Sequence, residues 1–155
     1  MKHFKTEPIT AAAFIPFGAL ISIPPDVKRV NFAAPITNLR PSARANLALV
    51  RPPLATLPCR VSLMERHCHS TQAFVPMGGL RALIFVAPGG DAGPNLSQAR
   101  SFIVAGDIGI SYAVGIWHIG MACLSAPGIM AMLVHEDGSA EDTEFREIPT
   151  IELTS

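Results

Sequence analysis

Charge is scarce in this sequence. Only 15% of its 155 residues are Asp, Glu, Lys or Arg, and twelve basic side chains cancel twelve acidic ones. An average soluble domain carries about 25% charged residues. A disordered tail and a solvated coiled coil both need far more charge, so both are excluded. With 49% hydrophobic residues and so little polar surface to cover them, some apolar surface is expected to meet another protein, most simply a second copy in a closed homodimer. Aromatic residues are also few, ten in all. The balance of basic over acidic residues, ten against three, lies in residues 1–81, where only Lys28 and Arg29 are adjacent. No basic stripe interleaved with stacking rings exists, which excludes nucleic acid as a partner. Cys59, Cys68 and Cys123 form no CxxC pair, and their odd number suits no disulfide framework. Reduced thiols and a cytoplasmic location are expected. No apolar run of signal-peptide length precedes Glu7 and Pro8, so no export is expected.

One stretch has no charge at all. Residues 108–135 contain no Asp, Glu, Lys or Arg, a length that would suffice for a membrane span. Gly109, Gly115, Gly120, Gly128, Pro127 and His118 interrupt it, and strands buried on both faces give the same hydropathy. The stretch therefore reads as short strands, and no membrane partner is expected.

Proline, by contrast, is abundant. Fourteen prolines cut the chain into pieces too short for a helical architecture. A two-turn helix is predicted over residues 11–17, N-capped by Thr10 and stopped by Gly18, followed by a strand over 19–23. Residues 24–44 read as a long loop of the kind that covers a ligand, with one short strand around Val30-Asn31-Phe32. Strands are predicted over 46–50, 59–67, 71–75, 81–86, 101–105, 111–118, 121–124, 129–135 and 150–153. Between them, Pro88 to Pro94 is a loop tip, Asn95 to Arg100 a capped helical turn, and Glu136 to Glu147 a solvated acidic turn. The expectation is one all-β domain over residues 1–155, an antiparallel barrel or jelly roll with one or two short peripheral helices.

Two strands carry the chemistry. Strand alternation places Cys59, Val61, Leu63, Glu65 and His67 on one face and Arg60, Ser62, Met64 and Arg66 on the other. If the first face lines the barrel, Glu65 and His67 sit inside its mouth. They would form a buried ion pair or an acid/base pair, and the pattern does not choose between them. In residues 111–118 the same period puts Tyr112, Val114, Ile116 and His118 together, unless Gly115 hosts a bulge. A pocket with two imidazoles, a carboxylate and a phenol can do acid/base work near neutral pH. The His67-Cys68-His69 triplet with a later histidine also partly matches the metal pattern of cupin barrels, with a divalent ion held by His67, His69 and His118. Where that pattern expects an acid, this chain has Ala73 or Phe74.

Residues 65–77, ERHCHSTQAFVPM, resemble the E-R-H-x-x-x-[ST]-Q-A-F-[IV]-P-[LM] signature of the ureidoglycolate lyase family, small cupin-like barrels. Residues 10–18, 95–102 and the 109–118 segment with its Gly115-Ile116-Trp117-His118 end resemble further family segments in the same order. The resemblance implies a homodimeric enzyme of purine and allantoin catabolism that splits ureidoglycolate into glyoxylate and urea. It implies His67 and His118 as acid and base, Glu65 as their partner, and Gln72, Tyr112 and Asn31 as substrate-binding residues. The chain departs from the family pattern at Ala113-Val114, where polar or basic residues are usual, at Ile119-Gly120, and in the early loop, which keeps Asn31 without the glycine and basic residue that follow it. A substrate carboxylate calls for an Arg or Lys. By pattern Arg66 points outward, while Arg29 and Arg40 lie in the loop. The alternative reading is a diverged enzyme or a non-catalytic barrel for another small hydroxy or keto acid.

Overall fold

Short alternating segments bounded by proline and glycine become strands in the computed structural model, which describes residues 1–124 and 126–155. In chain order they are β1 (Lys2–Pro8), the helical turn α1 (Ala11–Phe14), β2 (Gly18–Ile21), β3 (Arg44–Val50), β4 (Leu54–Ala55), β5 (Cys59–Arg66) and β6 (Gln72–Pro76). There follow β7 (Leu80–Ala87), β8 (Gly89–Gly90), β9 (Gly93–Pro94), β10 (Arg100–Gly106), β11 (Gly109–Tyr112), β12 (Trp117–His118), β13 (Ala122–Leu124), β14 (Met130–Glu136) and β15 (Glu144–Thr154).

Six of these strands close on themselves in the order β10-β1-β15-β5-β12-β7, with β7 pairing back to β10. Closure removes the sheet edges that would otherwise seek other chains. A second sheet, β2-β11-β6-β14-β3, lies against the barrel wall. This is the all-β barrel that strand spacing predicts, and it is consistent with the cupin-like fold that the resemblance implies. It is not wholly antiparallel: β1 runs parallel to both β10 and β15.

Two apolar cores follow from this layering. Leu83, Phe85, Trp117, Ile151 and Leu153 pack together inside the barrel, while Ile84, Val86, Phe102, Ile110 and Tyr112 pack between the barrel and the second sheet. β7 feeds alternate residues to each core, so Ala82 to Ala87 are all buried. That explains its unbroken apolar run. The uncharged stretch 108–135 holds β11 to β13 and most of β14. Among the described residues no helix is long and apolar enough to cross a membrane.

Four local expectations are corrected. The helix ends at Phe14 because Pro16 lacks the N–H needed to extend it, although Thr10 caps it as expected, accepting from Ala13 N at 3.2 Å. Residues 30–32 form no strand, and Asn95 to Arg100 form a turn in which the Asn95 side chain accepts from Ser97 N. The faces of β5 also swap midway. Cys59 and Val61 pack toward the barrel core, but so does Met64, leaving Leu63 exposed. The cause lies in β15, where four residue steps from Glu147 to Ile151 oppose two from Leu63 to Val61. Pro149 sits in that bulge, where no ladder donor is required.

Candidate active site

The swap in β5 decides where its polar end points. Arg66 turns to the barrel side, its guanidinium 4.8 Å over the Trp117 ring. Glu65 and His67 turn the opposite way, out of the barrel interior and toward the space between the two sheets. Arg66 is therefore not outward: its side chain is 8% exposed and pairs with Glu144 at 2.6 Å and Asp91 at 2.9 Å.

His118 arrives from the other strand. Residues 113–116 form a turn with Gly115 at φ +77°, which ends β11 in one sheet and starts β12 in the other. Only glycine adopts that φ without strain. Gly115 N donates to His67 O at 2.8 Å, fixing the turn to the end of β5. The crossing brings the rings of Tyr112 and His118 face to face at 4.1 Å, and those of His67 and His118 to 5.6 Å. His118 and Glu65 are register partners, with His118 Nδ1 3.7 Å from Glu65 Oε1. Gln72 is Tyr112's partner across β6 and β11, and its Nε2 donates to Met132 Sδ at 3.4 Å. Glu65, His67, Gln72, Tyr112 and His118 are thus one cluster.

Its electrostatics follow from burial. His67, Gln72, Tyr112 and His118 are all at least 92% buried, yet His67 Nε2, His118 Nε2, Tyr112 OH and Gln72 Oε1 have no protein partner. Such atoms are few in a folded protein, and four on one cluster of neighbouring residues make it the candidate ligand position. His67 Nδ1 lies 2.8 Å from Asp142 O and His118 Nδ1 3.2 Å from Ile119 O. A carbonyl only accepts, so each ring carries a proton on Nδ1, and in the neutral imidazole Nε2 is then the lone-pair atom. Burial, helped by neighbouring His67, pushes the His118 imidazole down to about 3, so it is neutral across the working pH range. Burial raises the Glu65 carboxyl despite the opposing effect of His67, and it raises the Tyr112 phenol, with Glu65 adding to the rise.

The other expected site residues lie apart. His69 is 38% exposed and 4.0 Å from Glu141, because β5 ends at Arg66 and a bend at 68–69 turns the chain away. The ligand atoms that do gather, within 4.8 Å of one another, come from Glu65, His67 and His118. Asn31 is exposed in the early loop and accepts from Arg29 Nε at 2.9 Å. Arg40 is committed to Asp137 and Asp142. A cleft of about 460 Å³ lies nearby, lined by Thr71, Ser111, Ala113 and Val114 among others. It opens on the reverse side of β11, where Ser111 Oγ donates to Pro35 O. The partnerless polar atoms lie on the other side of β11 from this cleft, beside Tyr112.

Asp142 and Thr143, whose hydroxyl is 3.4 Å from His67 Nδ1, belong to the segment read from sequence as a solvated acidic turn. Residues 137–141 are exposed as expected, while the Asp142–Thr143 end docks on His67. The contact uses a backbone carbonyl, which every residue has, so no side-chain pattern announces it.

The closed barrel makes this a cupin-like protein, and the buried imidazole pair with its carboxylate is its candidate active site. The chain belongs to the ureidoglycolate lyase family, whose model matches residues 1–152. It is 37% identical over 127 residues to a ureidoglycolate lyase of Burkholderia mallei, covering 76% of this chain and 74% of that protein. Ureidoglycolate lyases of Azotobacter vinelandii, at 34% identity and 76% of each chain, and of Pseudomonas savastanoi, at 32% identity with 76% and 74% covered, are similarly related.

Proposed function

We propose that this protein cleaves ureidoglycolate to glyoxylate and urea, as a carbon–nitrogen lyase of purine and allantoin breakdown. The observation that carries this reading is the set of four buried, partnerless polar atoms beside Glu65, on residues that match the family's two histidine segments. In the reaction the substrate hydroxyl loses its proton, the O–H electron pair becomes the second bond of the glyoxylate carbonyl, and the C–N bond breaks. The departing ureido nitrogen takes a proton to become urea. Oxygen and nitrogen share one carbon, so one carrier can serve both ends of the transfer. Glu65 suits that role because its raised carboxyl lies closer to neutrality, and a carboxylate has two oxygens to reach the two atoms. His118, kept neutral, offers an Nε2 lone pair to orient the substrate, and His67 offers a second. Gln72 Oε1 accepts from a ureido N–H, and Tyr112 donates its O–H to a substrate oxygen.

The same set fits a divalent cation. Both Nε2 atoms are partnerless, so Glu65, His67 and His118 would hold the ion through two imidazole nitrogens and one carboxylate oxygen, without His69, and the histidines would then orient the substrate through the ion rather than directly. When bound, such an ion supplies a positive charge for the substrate carboxylate and a Lewis acid at the hydroxyl. That charge matters because Arg29, Arg40 and Arg66 are all engaged elsewhere. Purified protein is expected to release glyoxylate from racemic ureidoglycolate, to lose turnover on chelation and to regain it with a divalent metal. Silence in every metal state would reject ureidoglycolate as substrate.

The unit that works is a homodimer within the cytoplasm, where three free cysteines stay reduced. The outer face of the second sheet supports this: Leu47, Leu49 and Val75 are 72%, 66% and 40% exposed, Leu47 and Val75 line an apolar depression with Ala131 and Leu133, and Leu49 is the register partner of Ala131. A charge-free sheet face of this kind is covered most simply by its own copy across a two-fold axis. The double variant Leu47→Glu, Leu49→Glu is expected to run as a monomer by light scattering while keeping the wild-type circular dichroism. An unchanged dimer would place the interface elsewhere.

A further inference from the structure

The histidine that the acidic turn holds is itself held from further away, through an arginine outside the cluster. Arg40 is 11% exposed in its side chain and bridges two strand connections. Its NH1 donates to Asp137 Oδ1 at 3.2 Å, and its NH2 donates to Asp142. The Asp142 carboxylate also accepts from Asp137 N and, at 2.7 Å, from Gly138 N, whose φ of +82° closes the turn. Those bonds fix the peptide whose carbonyl receives the proton of His67 Nδ1. Arg40 is in turn seated against the segment that carries His67: its own N–H is held by Asn38, which bridges to Ser70, and Leu39 N donates to His69 O.

We infer that Arg40 is a positioning residue that sets the tautomer of His67 by locking the Asp142 carbonyl against its Nδ1–H. The physical case is direct. A neutral imidazole can carry its proton on either nitrogen, and the hydrogen bond at one nitrogen decides the state of the other. With the turn locked, Nδ1 keeps the proton and Nε2 presents a lone pair to the substrate or an ion. With the turn released, the ring can reverse, placing N–H where a lone pair is needed. Outer partners of this kind carry 10–100-fold effects on activity or metal affinity. The turn belongs to a loop rather than to a barrel strand, so its release does not require the barrel to open.

This inference rests on the reading of His67 as a site residue, and its test is separable from that reading. Nitrogen-15 spectra of the free protein report the His67 tautomer without substrate. Wild type is expected to show Nδ1–H, Arg40→Ala a mixture of tautomers, and Arg40→Lys an intermediate pattern. Under saturating ureidoglycolate, Arg40→Ala is expected to lose 10–100-fold in kcat with KM changed less than about threefold, and added guanidinium is expected to restore part of the loss. If Arg40→Ala does not fold, Asp142→Asn, which keeps the carbonyl and loses the ion pair, serves instead. A folded variant with the wild-type tautomer overturns the inference, whatever its kcat. A wild-type protein that shows the Nδ1–H form but does not turn over ureidoglycolate overturns the proposed reaction and leaves the positioning role standing.

Discussion

His118→Asn is expected to lower kcat for glyoxylate release by about 10²–10⁴, the range that a positioned acid–base or orienting group supplies. Asparagine is the informative choice because its amide nitrogen can occupy the place of Nδ1 and still donate to Ile119 O. What disappears is Nε2, one of the four partnerless buried atoms, together with the ring that stacks on Tyr112. Loss of the stack costs about 1 kcal/mol, small enough for the variant to stay folded, and thermal unfolding checks it. His118→Gln is the complementary variant, since it returns a polar atom near the Nε2 position without a basic lone pair. Both variants are expected to show a loss in that range. Wild-type turnover in His118→Asn would show that the imidazole only fills space. The pH profile carries the same assignment. His118 is already neutral above about 3, so it adds no limb to the profile near neutrality. Glu65 must be ionised to accept the hydroxyl proton. Its raised pKa therefore makes activity fall as pH drops through a value above the ordinary glutamate figure of about 4.3.

Why the two histidines could be paired from sequence, while their true surroundings could not, is a matter of which features have a local signature. Two apolar runs that each end in histidine are legible by alternation, and the structure stacks those rings at 5.6 Å. Most strand positions were legible for the same reason. The face of Glu65 was not, because its phase depends on a bulge around Pro149 in β15, some eighty residues away. That bulge moved Glu65 and His67 from the barrel interior to the space between sheets, and brought Arg66 inward over Trp117. His69 looked like a ligand because HxH shares a face only while a strand continues, and β5 stops at Arg66. β1 carries no apolar alternation because it is polar and exposed along most of its length. It is held by backbone pairing to β10 and β15 and by the Thr6–Ser101 hydroxyl contact at 2.8 Å. Asp142 acts on His67 through its carbonyl, and composition carries no trace of that.

Gly18→Ala is expected to destabilise the fold by about 3 kcal/mol, at the upper end of single-substitution effects, and to lower Tm by roughly 6–12 °C for a chain of this size. A Cβ at this position would lie 1.9 Å from Ser111 O and 3.1 Å from Ala113 N, and the backbone φ is +153°. Those neighbours are main chain, so no side chain can swing aside. β11 would have to move instead. Gly18 is the register partner of Tyr112, and Ala113 N donates to Phe17 O. Displacing β11 therefore shifts both the phenol stacked on His118 and the 113–116 turn, whose Gly115 N holds His67 O. Activity is expected to fall more than stability alone explains, measured at a temperature where the variant is still folded. Gly120→Ala is the control: its Cβ meets nothing within 4 Å, so its Tm should stay within a degree or two of wild type. Equal melting of the two variants would mean that β2 and β11 do not approach closely at Gly18, and the coupling between that contact and the active-site ring stack would fall with it.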